Sequence, residues 1–228
     1  MLEAATFHRH EWYEHLEWRV RLTIFARRQP HLAPRRRPSV DCLILVDNSN
    51  IYIEGQKCSA FRKGMTPNNP GDRHPVDISW RIDFARLLTQ LADGRPIREA
   101  FLVGSRPPPN DEVWRLAERG GFKVITHERD AANKEKAVDT ELVAQGTLVI
   151  ATTPSPAVLV IASGDRDFLP LVNVAHQRGW TVEMAAFASA FTFHGQMAMS
   201  VDKVRPLDGS LDLIGHSAFQ WPEPPPRG

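Results

Sequence analysis

The chain has 228 residues, 28 Lys and Arg against 27 Asp and Glu, a formal net charge of +1 and a hydrophobic fraction of 42%. That is enough for one core plus tails, with no charge excess that would mark a nucleic-acid binder by composition alone. Two cysteines, Cys42 and Cys58, outside any CxxC pair, and nine histidines without zinc spacing exclude a disulfide scaffold and structural zinc.

No apolar run is long enough to cross a bilayer, so a soluble, cytoplasmic chain with no membrane partner is expected. Residues 1–38 carry eight Arg against four Glu. Within them EWYEHLEWRVRLTIFARR fits one amphipathic helix, followed by the Pro/Arg segment HLAPRRRP. This basic extension, helical or disordered, reads equally as an arm for a polyanion or as a solvated tail.

Domain structure is expected over residues 39–207. Cys42-Leu43-Ile44-Leu45-Val46 is an unbroken apolar run ending in Asp47-Asn48-Ser49-Asn50, the pattern of a strand buried on both faces. Ile51 to Ile53 open a short helix or turn, and Glu54 to Asp77, rich in Gly, Pro, Asn and basic residues, reads as a long loop. Helical spacing follows at Phe84, Leu87, Leu88 and Leu91, inside a segment starting at Trp80 and stopped by Asp93-Gly94. Ala100 to Gly104 is a strand broken by Arg106 and three prolines; Asn110 can cap a helix running to Arg119; Phe122 to Thr126 is the next strand.

A helix over Lys134 to Ala151 leads to the apolar strand Ala157 to Ala162. Beyond that strand, Ser163-Gly164-Asp165-Arg166-Asp167 passes straight into a helix with Phe168, Leu171, Val172 and Ala175 on one face and Pro170 in its first turn. Trp180 to Ala186 is the last clear strand, Phe191 to Val204 adds a short helix and an edge strand, and residues 208–228 read as a disordered, Pro-rich tail. Strands alternating with helices predict an α/β fold: a parallel sheet covered on both faces, with right-handed crossovers.

Open α/β sheets bind ligands at the carboxyl ends of their strands. Two strands here end in aspartate, Asp47 and Asp165, and as neighbours about 4.8 Å apart they would share one crevice. Asp139 joins from the start of its helix, where it shares a stripe with Leu142, Val143, Gly146 and Ile150, and Asp167 lies two residues past Asp165. Several carboxylates together repel, and hard oxygen ligands without His or Cys select Mg²⁺ or Mn²⁺, the usual partners of phosphate chemistry. Bland roles stand beside these: Asp167 and Asp139 as helix caps, Asp47 and Asp165 as Asx turns. Asn48, Ser163, Arg166, Lys134 and Lys136 are candidate substrate contacts, and Asn50 a ligand-orienting group or a cap.

Three motifs resemble one family. VDNSNI (Val46 to Ile51), KAVDTELV (Lys136 to Val143) and SGDRDFLPLV (Ser163 to Val172), the last followed by Gly179-Trp180-Thr181-Val182, are similar in content and order to the motifs of NYN domains, the PIN-like ribonucleases. The resemblance covers about residues 41–187. It implies a three-layer α/β/α sandwich around a mostly parallel sheet and a metal-dependent endoribonuclease using Mg²⁺ or Mn²⁺ on RNA, single-stranded by expectation. Asp47, Asp139 and Asp165 would be the metal-binding acids, Asp167 a supporting one, and Asn50 would position the scissile phosphate. A binding module of the same fold that grips RNA without cutting is the alternative. Oligomeric state stays open, a dimer included. A metal-dependent adhesion site is disfavoured by Ile51, and an aspartyl-phosphate phosphatase by Ser49.

Overall fold

The structure, a computed structural model, describes residues 40–67, 73–106, 111–128 and 137–217. The basic extension 1–38, Asn110, Lys134, Lys136 and residues 218–228 lie outside the described residues. Six strands form one parallel sheet: β1 (Cys42–Asp47), β3 (Ile97–Arg106), β4 (Lys123–Glu128), β5 (Val158–Ala162), β6 (Thr181–Ala186) and β7 (Lys203–Pro206), in the order β4-β3-β1-β5-β6-β7. The chain builds outward from β1 to β4, then returns to lay β5 on the other side of β1. This reversal creates the crevice in which open α/β sheets bind ligands.

Two apolar cores cover the sheet, one per face, because successive strand residues point to opposite sides. On one face Ile44, Val46 and Leu102 pack with α2 (Phe84–Ala92) and α3 (Glu112–Arg119) through Leu87, Leu91, Trp114 and Ala117. On the other, Leu45, Val103 and Ile161 pack with α4 (Val138–Thr152), α5 (Leu169–Gln177) and α6 (Gln196–Ser200) through Leu142, Ile150, Leu171 and Met197. The result is the three-layer sandwich.

Two expectations are corrected. The segment expected as a loop from Glu54 starts as helix: α1 runs from Asn48 to Arg62. Its inward face is made of Ile51, Glu54, Gly55, Gln56, Ser59 and Ala60, which explains why no apolar stripe announced it. The tail expected from residue 208 is folded at least to Ser217. A 3-10 turn, Asp208–Ser210, leads into α7 (Leu211–Ile214), where Leu211 and Ile214 are buried, and β8 (Gly215–Ser217) pairs antiparallel with β2 (Trp80–Ile82). Trp80 thus opens a strand, and the expected helix begins after it, at Phe84.

Asp77 ties these outer pieces to α1. Its Oδ2 accepts from Ser59 Oγ and Lys63 Nζ, each at 2.5 Å, its Oδ1 accepts from Ser79 Oγ at 2.5 Å and Ser79 N–H at 3.0 Å, and Lys63 also reaches Ser217 Oγ at 2.8 Å. Burial alone would raise the Asp77 carboxyl's pKa, but the hydrogen bonds from Lys63, Ser59 and Ser79 outweigh it and hold the group well below the usual carboxylate range. A depressed folded pKa contributes stability above the unfolded value, near 3.9, that is lost as pH falls toward the folded one. Asp77→Asn is therefore expected to lower unfolding free energy by about 1–3 kcal/mol at pH 7. Urea melts of both proteins should show this gap narrowing below about pH 4, where the unfolded wild-type chain takes up a proton at Asp77 that the folded carboxyl still excludes.

Candidate active site

β1 and β5 are hydrogen-bonded neighbours, Val46 opposite Ala162, so the residues after them emerge side by side. Ser163 is fully buried at the end of β5 and its hydroxyl joins the two strand ends. Its Oγ donates to Asp47 Oδ2 at 3.3 Å and accepts from the Asp165 N–H at 3.2 Å. Asp47, 7% exposed, also caps α1 through Oδ1, which accepts from the Asn50 N–H at 3.1 Å. Asp165 repeats this at the next element: its Oδ1 accepts from the Asp167 N–H at 3.0 Å and caps the 3-10 turn Arg166–Phe168. Phe168, fully buried, pins that turn to the core.

A fixed backbone holds the loop in place. A Cβ on Gly164 would lie 2.5 Å from the Ala190 carbonyl oxygen, so only glycine lets the loop press against the turn Ala188–Ala190. That turn is held by Glu54 of α1, which accepts from Ser189 Oγ at 2.6 Å. Glu54 was not singled out from sequence; its signal is a carboxylate three residues after the buried Ile51, on the inward side of a helix.

Asp139 is the second residue of α4 and is half-buried beside the inward stripe of Val138, Leu142, Gly146 and Ile150. The helix starts from Ala137, whose φ of 65° is left-handed and which supplies no side-chain cap. Such a conformation in a non-glycine residue costs on the order of 1–3 kcal/mol, and strain of this kind tends to sit at functional positions.

The structure brings Asp139, Asp165 and Asp167 together, each offering a carboxylate oxygen within 4.8 Å of the others. Asp47, expected among the metal-binding acids, is not in this group and is coupled to it through Ser163; Asp167, expected as a supporting acid, is. Hard oxygen donors without a thiolate or imidazole fit Mg²⁺ or Mn²⁺, so the residues present suit the ion that the sequence implies. At such separations each carboxylate pair repels by roughly 3–4 kcal/mol at an effective dielectric of 20, less for the exposed Asp167.

Beside the acids a groove of about 670 Å³ is lined by Ala137, Asp139, Thr140, Val143, Arg166, Asp167, Leu169, Pro170 and Gln196. Arg166 is exposed on its wall, and Val143, Leu169 and Pro170 give it an apolar surface. Asn48 and Asn50 follow Asp47 in the first turn of α1, each with a buried amide oxygen that has no hydrogen-bond partner among the described residues. No helix among the described residues is long and apolar enough to cross a membrane.

A protein of unknown function from Vibrio parahaemolyticus RIMD 2210633 has a similar solved structure. It is 14% identical, with a TM-score of 0.55, the match covering 79% of this chain and 99% of that one, a likeness of fold alone. No curated protein matches the sequence significantly. The family model of the NYN domain matches residues 42–207, more than half of the chain, from the first residue of β1 through the end of β7. The sheet order, the acids at its reversal and this match agree, and the chain belongs to the NYN domain family, a family of PIN-like nucleases.

Proposed function

We propose that the protein is a metal-dependent endoribonuclease that hydrolyses phosphodiester bonds of single-stranded RNA. The observation that carries this reading is the meeting of Asp139, Asp165 and Asp167 at the reversal of the sheet, with Asp47 one hydroxyl away. The three clustered acids would hold Mg²⁺ or Mn²⁺. When bound, such an ion offsets charge on phosphoryl oxygens and lowers the pKa of a water.

The chain's own groups do the rest. Ser163 sets the spacing between Asp47 and the Asp165 loop, Asp47 adds negative charge at the β1 side, and the Asn50 amide would position the scissile phosphate through its NH₂ group or accept from the attacking water through Oδ1. Attack in line with the leaving 3′-oxygen leaves a 5′-phosphate. Arg166 offers a phosphate contact at the groove, and Lys134 and Lys136 are proposed for the same task. The nuclease unit is taken to start at residue 39 and to include the folded residues 208–217, and its place of action as the cytoplasm, where free thiols such as Cys42 and Cys58 persist.

Asp139→Asn and Asp165→Asn should each reduce Mn²⁺-dependent cleavage of a mixed single-stranded RNA pool at least about 100-fold, the scale on which a positioned charge contributes to a transition state. Thermal melts add a readout that needs no activity. Without divalent ions both variants should melt at or above the wild-type temperature, because a repulsion is gone. At a Mn²⁺ concentration of 100 Kd the wild type should gain about 2.7 kcal/mol that the variants lack. Equal Mn²⁺ stabilisation of all three proteins would sink the metal assignment, and RNA retained without 5′-phosphate products would favour the non-cutting alternative.

Ser163→Ala separates positioning from ligation. It should cut the cleavage rate about tenfold and stability by about 1 kcal/mol, the worth of one hydrogen bond, while Mn²⁺ still raises the melting temperature. Isothermal titration with Mn²⁺ beside a cleavage time course measures both.

A further inference from the structure

The loop that carries Asp165 and Asp167 is pinned at one end by the buried Phe168, and at the other Ala190 presses on it. A Cβ on Gly164 would meet the Ala190 carbonyl oxygen at 2.5 Å and its carbonyl carbon at 2.8 Å. The loop therefore stands where the turn Ala188–Ala190 lets it stand. That turn follows the buried Phe187 but has no buried residue of its own, so apolar packing does little to fix it. Its placement rests on two carboxylates instead. The Ala188 N–H donates to Asp208 Oδ2 at 2.8 Å, and Ser189 Oγ donates to Glu54 Oε2 at 2.6 Å.

Both carboxylates are tied to α1. Glu54, Cys58 and Arg62 recur every four residues and so share one stripe of that helix. Glu54 is 9% exposed, and its other oxygen, Oε1, accepts from Lys57 Nζ at 2.6 Å. Cys58 Sγ lies 3.8 Å from Asp208 Oδ1, and the Arg62 guanidinium donates to the Asp208 carbonyl and, at 2.9 Å, to Asp212 Oδ2 of α7. The Asp47 carboxylate caps the same helix, so one rigid element runs from the β1 acid to the grip on the 188–190 turn. A buried carboxylate is costly unless hydrogen-bonded, and here the bonds of Glu54 are spent on a turn with no core of its own. Asp208 lies one residue past the stretch that the family model matches.

We propose that Glu54 and Asp208 are positioning residues for the acid cluster. Together they hold the turn at its first two residues, the turn sets Gly164, and Gly164 sets how Asp165 and Asp167 face Asp139. This role rests on the metal-dependent nuclease reading and adds what keeps that site in register. Carboxylate ligands must be placed to within about half an ångström to grip an ion well, and groups that support ligands are worth roughly 10–100-fold in metal affinity.

Two measurements on the full chain test it: isothermal titration with Mn²⁺, and amide hydrogen exchange of residues 164–167 in chelator. Glu54→Ala and Asp208→Ala should each weaken Mn²⁺ binding about tenfold and speed exchange of the loop by a similar factor. Glu54→Gln and Asp208→Asn keep an acceptor oxygen and should recover most of both. A Gln variant as weak as the Ala one would mean that charge rather than placement is at work, and overturns the role. Ser189→Ala, on the exposed turn, probes the same contact should Glu54→Ala fail to fold, and should likewise weaken Mn²⁺ and speed exchange. Combined with Glu54→Ala it should cost no more than the larger single change; additive losses overturn the role. A merely structural contribution would lower the melting temperature in chelator and spare Mn²⁺ affinity. Unchanged loop exchange in both alanine variants overturns the positioning role even where the wild type binds Mn²⁺ and cleaves RNA. Faster loop exchange in the variants of a wild type that binds no Mn²⁺ keeps the grip on the loop and overturns the nuclease reading.

Discussion

β1 and β5 lie side by side with Cys42 through Val46 and Leu159 through Ala162 fully buried, and every placement at the carboxyl edge follows from that pairing. Each buried aliphatic side chain contributes roughly 1.5–3 kcal/mol, so two adjacent strands supply far more than the mutual repulsion of a few carboxylates removes. The core can therefore hold Asp165 and Asp167 near Asp139 against their charge. Reversal of the chain at β1 leaves a gap in the helical cover at the same place. Rigidity and access coincide there because one topological event produces both.

Strands and acids were legible because their signals are local. A run such as VLVIA has one low-energy destination, and an aspartate at its end inherits that position. α1 was not legible because its buried face is Gly55, Ser59 and Ala60 with Glu54 and Gln56, residues that fit under Trp80 and the 188–190 turn but carry no apolar period. Likewise residues 208–217 read as tail until β8 found β2, a pairing between segments more than 130 positions apart that no window of sequence contains. The grouping of the acids was half legible. Adjacency of Asp47 and Asp165 follows from strand order, yet which carboxylates face one another depends on two caps and one serine hydroxyl.

Carboxylates elsewhere in the protein show what this chain does when it needs to neutralise one itself. Buried Glu183 is met by Arg95 at 2.8 Å and Arg205 at 3.0 Å, and Arg205 also caps the carbonyls of Gln90 and Leu91 at the end of α2. Burial works against the Glu183 charge, but these guanidinium partners prevail and hold its pKa below the ordinary value. Asp77 has Lys63, and Asp41 has a two-pronged contact from Arg98.

Asp165 and Asp167 are treated differently: neither forms an ion pair with a described lysine or arginine, although Arg166 stands between them in sequence. A chain able to supply cationic side chains at three other carboxylates, Arg at Glu183 and Asp41 and Lys at Asp77, has left these two to something that comes and goes. A fixed arginine in the cluster would quench the field that attracts a dication and would fill the space a phosphate must enter.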